Sequence, residues 1–403
     1  MKTGTLRAFG WLACIGLLLG GMGSAAAQPA DSKWPLFHGD AQRTGRTAVD
    51  LFGPVNPTNV RVAYRGYSPF RSSPVIGPDG TVYVSNARNL CAIDPTTDTE
   101  KWCYDIDAAA VFATPAVGVD PLDPMNAAKW LIYQGGRGNK FHAVDQNGMG
   151  RWIHAVGVDG DVATSAVMDP SGNVYFGGAQ RFHSINPATG VLNWFYGLDH
   201  VVFMSNPVLS PSGSVVYVSS VRGSLYAYTP GGVENWKLSL GSTVRFGAQA
   251  VGADGTIYVA TRDGLVSVTD NGMSATINWT FEMSGRGAVS TPAIGADGTI
   301  YVGGQGGAAG GGAAFYAIKP DGTGTYWTYE TGKFFRGSPL IDGAGRIYAT
   351  SGKDVICFDS TNHANPFLWS FETGRNLFSS PALDADGTLW VTGADHDLYA
   401  IQD

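Results

Sequence analysis

Short runs in which apolar and polar positions alternate recur along the chain in the same order. A Ser/Thr-x-Pro phrase or its relic comes first, then a turn with Gly, then Val/Ile-Tyr-Val. A Leu-aromatic-Ala triplet follows, and a Trp usually closes the unit. The clearest copies are Ser73-Pro74 with Asp79-Gly80-Thr81-Val82-Tyr83-Val84, Thr291-Pro292 with Asp297-Gly298-Thr299-Ile300-Tyr301-Val302, and Ser380-Pro381 with Asp386-Gly387-Thr388-Leu389-Trp390-Val391. Two alternating runs joined by Asp-Gly predict an antiparallel hairpin. Leu90-Cys91-Ala92-Ile93, Leu225-Tyr226-Ala227-Tyr228, Phe315-Tyr316-Ala317-Ile318 and Leu398-Tyr399-Ala400-Ile401 supply a third strand, and the Trp marks a fourth. No stretch beyond the N-terminus keeps a 3.6-residue apolar period, so helix is expected to be nearly absent.

Trp102, Trp152, Trp194, Trp236, Trp279, Trp327 and Trp369 follow one another at spacings of 50, 42, 42, 43, 48 and 42 residues. A period near forty with four strands per unit is that of a β-propeller blade. Second strands number eight, from Tyr83 to Trp390, whereas Trp-bearing fourth strands number seven. The chain stops at Asp403, after the third strand of the eighth unit, which would leave an open edge. Val60-Arg61-Val62-Ala63-Tyr64 is expected to fill it, with Tyr64 in the place that Trp takes elsewhere. The fold class predicted is all-β, an eight-bladed β-propeller of four-stranded antiparallel blades spanning residues 60–403, its ring closed by an N-terminal strand completing the last blade. Residues 28–59 form a lead-in segment.

Residues 1–27 read as a secretory signal: Lys2 and Arg7, an apolar stretch from Phe9 to Gly23, and Ala25-Ala26-Ala27 before Gln28. The apolar core is too short for a membrane span, and Cys14 inside it is badly placed for lipoprotein processing. A periplasmic or secreted protein is expected. Export to an oxidising compartment gives the cysteines meaning. Cys91 and Cys103 lie equally far from Thr97 in the connecting turn, which makes them direct cross-strand partners and a disulfide candidate. Cys357, in the Ala position of its triplet, is expected to be buried and inert. His142 and His183 share the triplet position where other units use Tyr, so both should pack between blades, and His38 could pair with Asp40.

Composition agrees: 56 Gly and 21 Pro punctuate many turns, and 12% aromatic residues supply flat packing surface. With 33 acidic and 26 basic residues the net charge is −7, and loss of the signal makes it more negative, which excludes nucleic acid as an expected partner. No Gly-x-Ser-x-Gly elbow is present. The glycine-rich run from Gly303 to Ala314 precedes a strand, so it reads as a loop insertion and not a phosphate cradle. No catalytic residue, cofactor-binding residue or metal ligand is singled out.

The Ser-Pro, Asp-Gly-Thr-Val-Tyr-Val and Leu-x-Ala-Ile-Asp phrases resemble the repeat of the pyrroloquinoline quinone (PQQ) propeller superfamily. Ser184-Ile185-Asn186-Pro187-Ala188-Thr189-Gly190-Val191-Leu192-Asn193-Trp194 is similar to its tryptophan-docking stretch, and Trp34-Pro35-Leu36-Phe37-His38-Gly39-Asp40-Ala41-Gln42-Arg43-Thr44-Gly45 to the lead-in of exported members. One branch implied by this resemblance holds quinone-dependent alcohol and sugar dehydrogenases, with PQQ beside a calcium ion at one face. The other holds cofactor-free propellers, such as the lipoprotein subunit of the outer-membrane β-barrel assembly machinery, which bind partners through loops. The residues favour the second, for the chain lacks the adjacent cysteines and long insertions of the enzymes. The positions three before each first-strand Pro (Arg71, Phe112, Ala163, Met204, Gly247, Val289, Arg336 and Phe378) include no carboxylate. Asp161, Arg245 and Asn376 lie close by.

The loops joining second to third strands carry Arg88, Arg137, Lys140, Arg181, Arg222, Arg262 and Lys353. Those entering first strands, on the same face, add Arg71, Arg245, Arg286, Lys333, Arg336 and Arg375. Acids such as Asp105, Asp107, Asp354 and Glu372 share these loops, so the face is mixed. Arg71, Arg245, Arg336, Arg88, Arg181, Arg222 and Arg262 are the candidates for contact with a protein partner or an anionic envelope ligand. A solvated face without partner preference is the alternative. The expected function is a non-catalytic binding or assembly scaffold, with a small PQQ- and calcium-dependent oxidoreductase as runner-up. A monomer is expected.

Overall fold

A computed structural model describes residues 34–49, 57, 59–107, 113–126, 128–136, 138–157, 160–178, 180–200, 205–244, 249–285, 287–306 and 313–402. The signal read at residues 1–27 lies outside them. The described strands form eight four-stranded antiparallel sheets, and no described residue is helical. Blade 1 runs from Val75–Ile76 next to the axis through Val82–Ser85 and Asn89–Asp94 to Thr99–Asp105 at the rim. The next six blades repeat it. Blade 8 has Ala382–Leu383, Leu389–Thr392 and Asp397–Gln402, and its outer strand is Asn59–Arg65, paired antiparallel with Asp397–Gln402.

Second strands such as Val82–Ser85 are buried along their whole length because neighbouring blades cover both faces, hence their Val/Ile/Tyr composition. Outer strands such as Leu192–Gly197 alternate between half-buried and exposed positions. In seven blades the Trp of the fourth strand meets the Tyr of the second strand at 5.8–6.0 Å between ring centroids. In blades 1 to 3 the indole also ties the blade to the next: Trp102 Nε1 donates to Gln146 O, Trp152 to Pro187 O and Trp194 to Pro230 O, at 2.7–2.9 Å. Gly190, at φ 68°, lies so close to the Trp152 ring that a Cβ would sit 2.6 Å from it, which is why this turn requires glycine.

Blade 8 differs from the expected register. In the other blades the Trp stands opposite the last residue of the third-strand triplet, as Trp102 does opposite Ala92. In blade 8 Arg61, not Tyr64, stands opposite Ala400, and a bulge between Val62 and Tyr64 moves Tyr64 opposite Leu398. The Arg61 guanidinium lies 5.8 Å from the Trp390 ring and 2.8 Å from an Asp98 carboxylate oxygen. A Trp–Arg cation–π pair thus replaces the Tyr–Trp pair at the seam where the ring closes.

Residues 34–49 thread the central channel. The backbone carbonyls of Trp34, Pro35, Ala41, Gln42, Thr44 and Gly45 accept from the amides of Ile76, Val117, Leu209, Val251, Ile294 and Ile341, at 2.7–2.9 Å. These are the innermost strands of blades 1, 2, 4, 5, 6 and 7. Blade 3 is reached by Arg43, wholly buried, whose guanidinium donates to the carbonyls of Ser165, Ala166, Pro207 and Phe37. Burial pulls its pKa down to about 9, which still leaves it charged at neutral pH. His38 does not pair with Asp40; its ring nitrogens lie 2.7 Å from Arg43 O and 2.6 Å from Pro339 O, while Asp40 accepts from Thr44. Burial pushes the His38 pKa down to about 4, against the pull of those carbonyls.

Cys91 and Cys103 stand directly opposite and form a disulfide, Cα to Cα 4.1 Å. Cys357 is buried, and burial pushes its thiol pKa far up. His142 packs edge-on against Tyr104 of blade 1, and His183 stacks on Phe176 at 5.1 Å. Neither has a hydrogen-bond partner on either ring nitrogen, and burial lowers their pKa values to about 4 and about 3.

Three outcomes follow from this packing. Arg43→Met leaves four buried carbonyls short of a donor and should cost about 3–5 kcal/mol in chemical denaturation; a loss under 1 kcal/mol would mean the lead-in does not hold the ring. The native pKa values of His142 and His183 lie below that of an unfolded histidine, so the unfolded chain binds more protons and stability rises with pH. Their contribution is complete above about pH 6.5 and is lost towards pH 4, on the order of 2–3 kcal/mol each. The His142→Phe/His183→Phe variant should therefore lose less stability than the wild type between pH 7 and pH 4.5, and parallel losses would refute it. Reducing the disulfide should lower stability by about 2–3 kcal/mol, measured with and without reductant.

Candidate functional site

Antiparallel strands return the chain at each step, so loops entering first strands and turns joining second to third strands share one end of the ring. The lead-in carbonyls bond near the ends of the first strands, towards the other end. The face is mixed, as charges meet in pairs: Arg88 with Asp105 at 3.4 Å, Lys140 with Asp107 at 2.6 Å, Lys333 with Asp354 at 2.8 Å and Lys353 with Glu372 at 3.5 Å. Arg71 is exposed at the entry to blade 1. Arg181 is exposed on blade 3, its guanidinium 4.7 Å from the Phe195 ring. Arg222 and Arg262 are exposed on blades 4 and 5. Arg245 lies outside the described residues, as do Arg137 and Arg286. The described candidates are thus spread over blades 1, 3, 4, 5 and 7.

Arg336 lines a cleft. The loop Gly332–Arg336, the turn Gly352-Lys353 and the loop residues Glu372 and Asn376–Phe378 enclose about 470 Å³ between blades 7 and 8. Phe335 points inward, wholly buried against Phe315 at 5.3 Å, so its neighbours Phe334 and Arg336 point out. The Arg336 guanidinium lies 4.9 Å from the Phe378 ring and 5.5 Å from the Phe334 ring. Among the described residues no carboxylate pairs with it, in contrast to Lys333 and Lys353.

Backbone bonds hold this cleft in shape. Gly352 N donates to Phe334 O at 3.1 Å, Leu377 N to Gly352 O at 2.7 Å, and Thr373 bonds Lys353 O through both its amide and its hydroxyl. Ser351 Oγ donates to Lys333 O at 2.9 Å. Beneath Arg336, a Cβ on Gly337 would come within 2.2 Å of Ser379 O, so only glycine lets the two blades approach this closely. The sequence pointed to Arg336, Lys333, Lys353 and Phe378 separately. It did not reveal the aromatic clamp, whose one local signal is the Phe334-Phe335-Arg336 run.

Of the mouth-lining positions expected from sequence, Ala163 and Val289 are buried, Phe378 is half-buried, and Arg71 and Arg336 are exposed. Phe112, Met204 and Gly247 lie outside the described residues. The described members offer no carboxylate, and Asp161 is half-buried with an interaction of its own. This donor set does not fit a calcium ion holding a quinone, because calcium takes several oxygen ligands. The one group of metal-ligand type among the described residues, Cys91, Glu100 and Cys103, contains the disulfide.

Four-stranded blades locked by docked tryptophans, eight to the ring, define a propeller of the PQQ-repeat class. The family model described as outer membrane protein assembly factor BamB matches residues 42–201 and 199–402, and the chain belongs to that family. Comparison with curated protein sequences gives no match. Among solved structures the fold is similar to BamB from Moraxella catarrhalis, with 16% identity, 87% of this chain and all of that one covered, and a TM-score of 0.66. It is also similar to quinohemoprotein alcohol dehydrogenase from Comamonas testosteroni, at 14% identity, 92% and 78% coverage and TM-score 0.70. A third similar structure is quinohemoprotein alcohol dehydrogenase ADHIIG from Pseudomonas putida HK5, at 12% identity, 92% and 80% coverage and TM-score 0.71. At these identities the structural likeness establishes the fold.

Proposed function

We propose that this protein is an exported, non-catalytic propeller that binds partner proteins in the cell envelope, in the sense in which its family is described as an assembly factor. It works in the periplasm or outside the cell, and the face carrying the loops between second and third strands is the binding face. The observation that carries this reading is the make-up of that face. It offers no described carboxylate in the mouth layer, while its exposed guanidiniums and the blade 7–8 cleft offer recognition groups on a rigid frame. The disulfide in blade 1 suits an oxidising compartment. No described helix is long and apolar enough to cross a membrane.

A PQQ-dependent oxidoreductase is the competing reading, supported by the fold alone. Titration of the purified protein with PQQ and calcium, followed by absorbance, should give no saturable uptake; equimolar uptake would overturn the scaffold reading. A pull-down from an envelope extract should recover a defined partner with the wild type, at least tenfold less of it with the Arg71→Glu/Arg245→Glu/Arg336→Glu variant. Equal recovery by both proteins would place the binding surface elsewhere.

A further inference from the structure

We infer that the cleft between blades 7 and 8 receives a carboxylate from an extended acidic segment of a protein partner, Arg336 holding the carboxylate while Phe334 and Phe378 cover its apolar flank. The inference rests on the scaffold reading and gives it a site. Arg336 is exposed, yet its conformation is restricted by two rings, at 4.9 and 5.5 Å. Ring contact occupies the face of a guanidinium and leaves its in-plane N–H donors free, the geometry in which arginine takes a carboxylate with two parallel bonds. Holding the side chain in advance also lowers the entropy lost on binding.

The other charges of the cleft are already matched. Lys333 is paired with Asp354 and Lys353 with Glu372, which leaves one guanidinium in the cleft without an acidic partner among the described residues. That balance fits a single carboxylate. A phosphate-covered surface would meet Glu372 in the wall and a chain whose net charge is −7. The volume, about 470 Å³, accepts a short length of peptide with one or two side chains. The aromatic walls favour a segment in which an aromatic or aliphatic residue adjoins the acid.

The test uses acetyl-Ala-Glu-Phe-Glu-Ala amide as probe, with binding to the whole protein followed by calorimetry and by the NMR signal of the Arg336 Nε–H. The peptide should bind and shift that signal. Replacing both Glu by Gln in the probe, or Arg336→Ala in the protein, should weaken binding at least tenfold, with Arg336→Lys in between. Lys129→Ala, on the opposite face of blade 2, should leave it unchanged. Arg336 is exposed and has no acidic partner among the described residues, so its variants should melt with the wild type, and equal melting curves certify the comparison. Absence of probe binding to the wild type, equal binding by Arg336→Ala, or displacement of the probe by equimolar inorganic phosphate would each overturn the inference. A wild type that keeps its envelope partner while failing to bind the probe would remove the cleft assignment and leave the scaffold reading standing, whereas equimolar PQQ uptake would strike the scaffold reading itself.

Discussion

An unpaired sheet edge is the constraint around which this protein is organised. Every four-stranded blade has an inner edge facing the channel and an outer edge at the rim, and buried amides without acceptors are costly. The inner edges are the more demanding because the first strands are only two residues long in most blades, as Val75–Ile76 and Leu340–Ile341 are. Their inward amides are met by one extended piece of chain, residues 34–49, that gives a carbonyl to six blades in turn. Arg43 extends the same logic to blade 3 by bringing donors to carbonyls. The lead-in is therefore a structural axis, and the ring is closed twice, once through the channel and once at the rim.

The rim closure works by a different interaction from the seams it joins. From blade 1 to blade 4 the fit depends on an indole lying on a neighbouring turn glycine and donating to a backbone carbonyl, as Trp152 does at Gly190 and Pro187. Where Asn59–Arg65 completes blade 8, the aromatic partner comes from the second strand, Trp390, and the strand contributes the cation of Arg61. Arg65 adds two bonds to the carboxylate of Asp397, at 2.6 and 2.8 Å. Charged and hydrogen-bonded contacts are directional, so they fix the register of a strand that arrives from the other end of the chain, where a purely apolar contact could slide.

Much of this was legible from the repeat. Blade number, the closing strand and the Cys91–Cys103 bridge follow from period and spacing, because a strand's partner is set by counting from the turn. The error at Tyr64 came from matching one aromatic residue to another: Arg61 already stands opposite Ala400, and Tyr64, carried past the bulge after Val62, faces Leu398 as Tyr104 faces Leu90 in blade 1. The role of the lead-in escaped for another reason. It has no period, and its bonds are made by backbone carbonyls, which carry no residue signature. Trp34, Leu36 and Arg43, all buried, were nonetheless a hint, since a solvated leader would not carry so much apolar surface together with turn glycines. The cleft escaped because it is made between two blades, by Arg336 from one entry loop and Phe378 from the next.

Charge on the binding face acts locally and not as a field. A chain with seven more acidic than basic groups cannot draw an anionic partner from a distance, and screening removes what remains beyond a Debye length of about 8–10 Å. Four of the basic side chains there, Arg88, Lys140, Lys333 and Lys353, are matched by an acid on the same face, so they set loop shape more than they attract. Recognition then depends on the few guanidiniums left over and on how well they are held. Arg222 and Arg262 are exposed, with no ring or ion-pair contact among the described residues, and would lose the full entropy of a flexible arm on binding, whereas Arg336 is already fixed between rings on a loop pinned by Phe335 and Gly337. Equal formal charges on one face are thus unequal as binding groups, and the packing beneath them makes the difference.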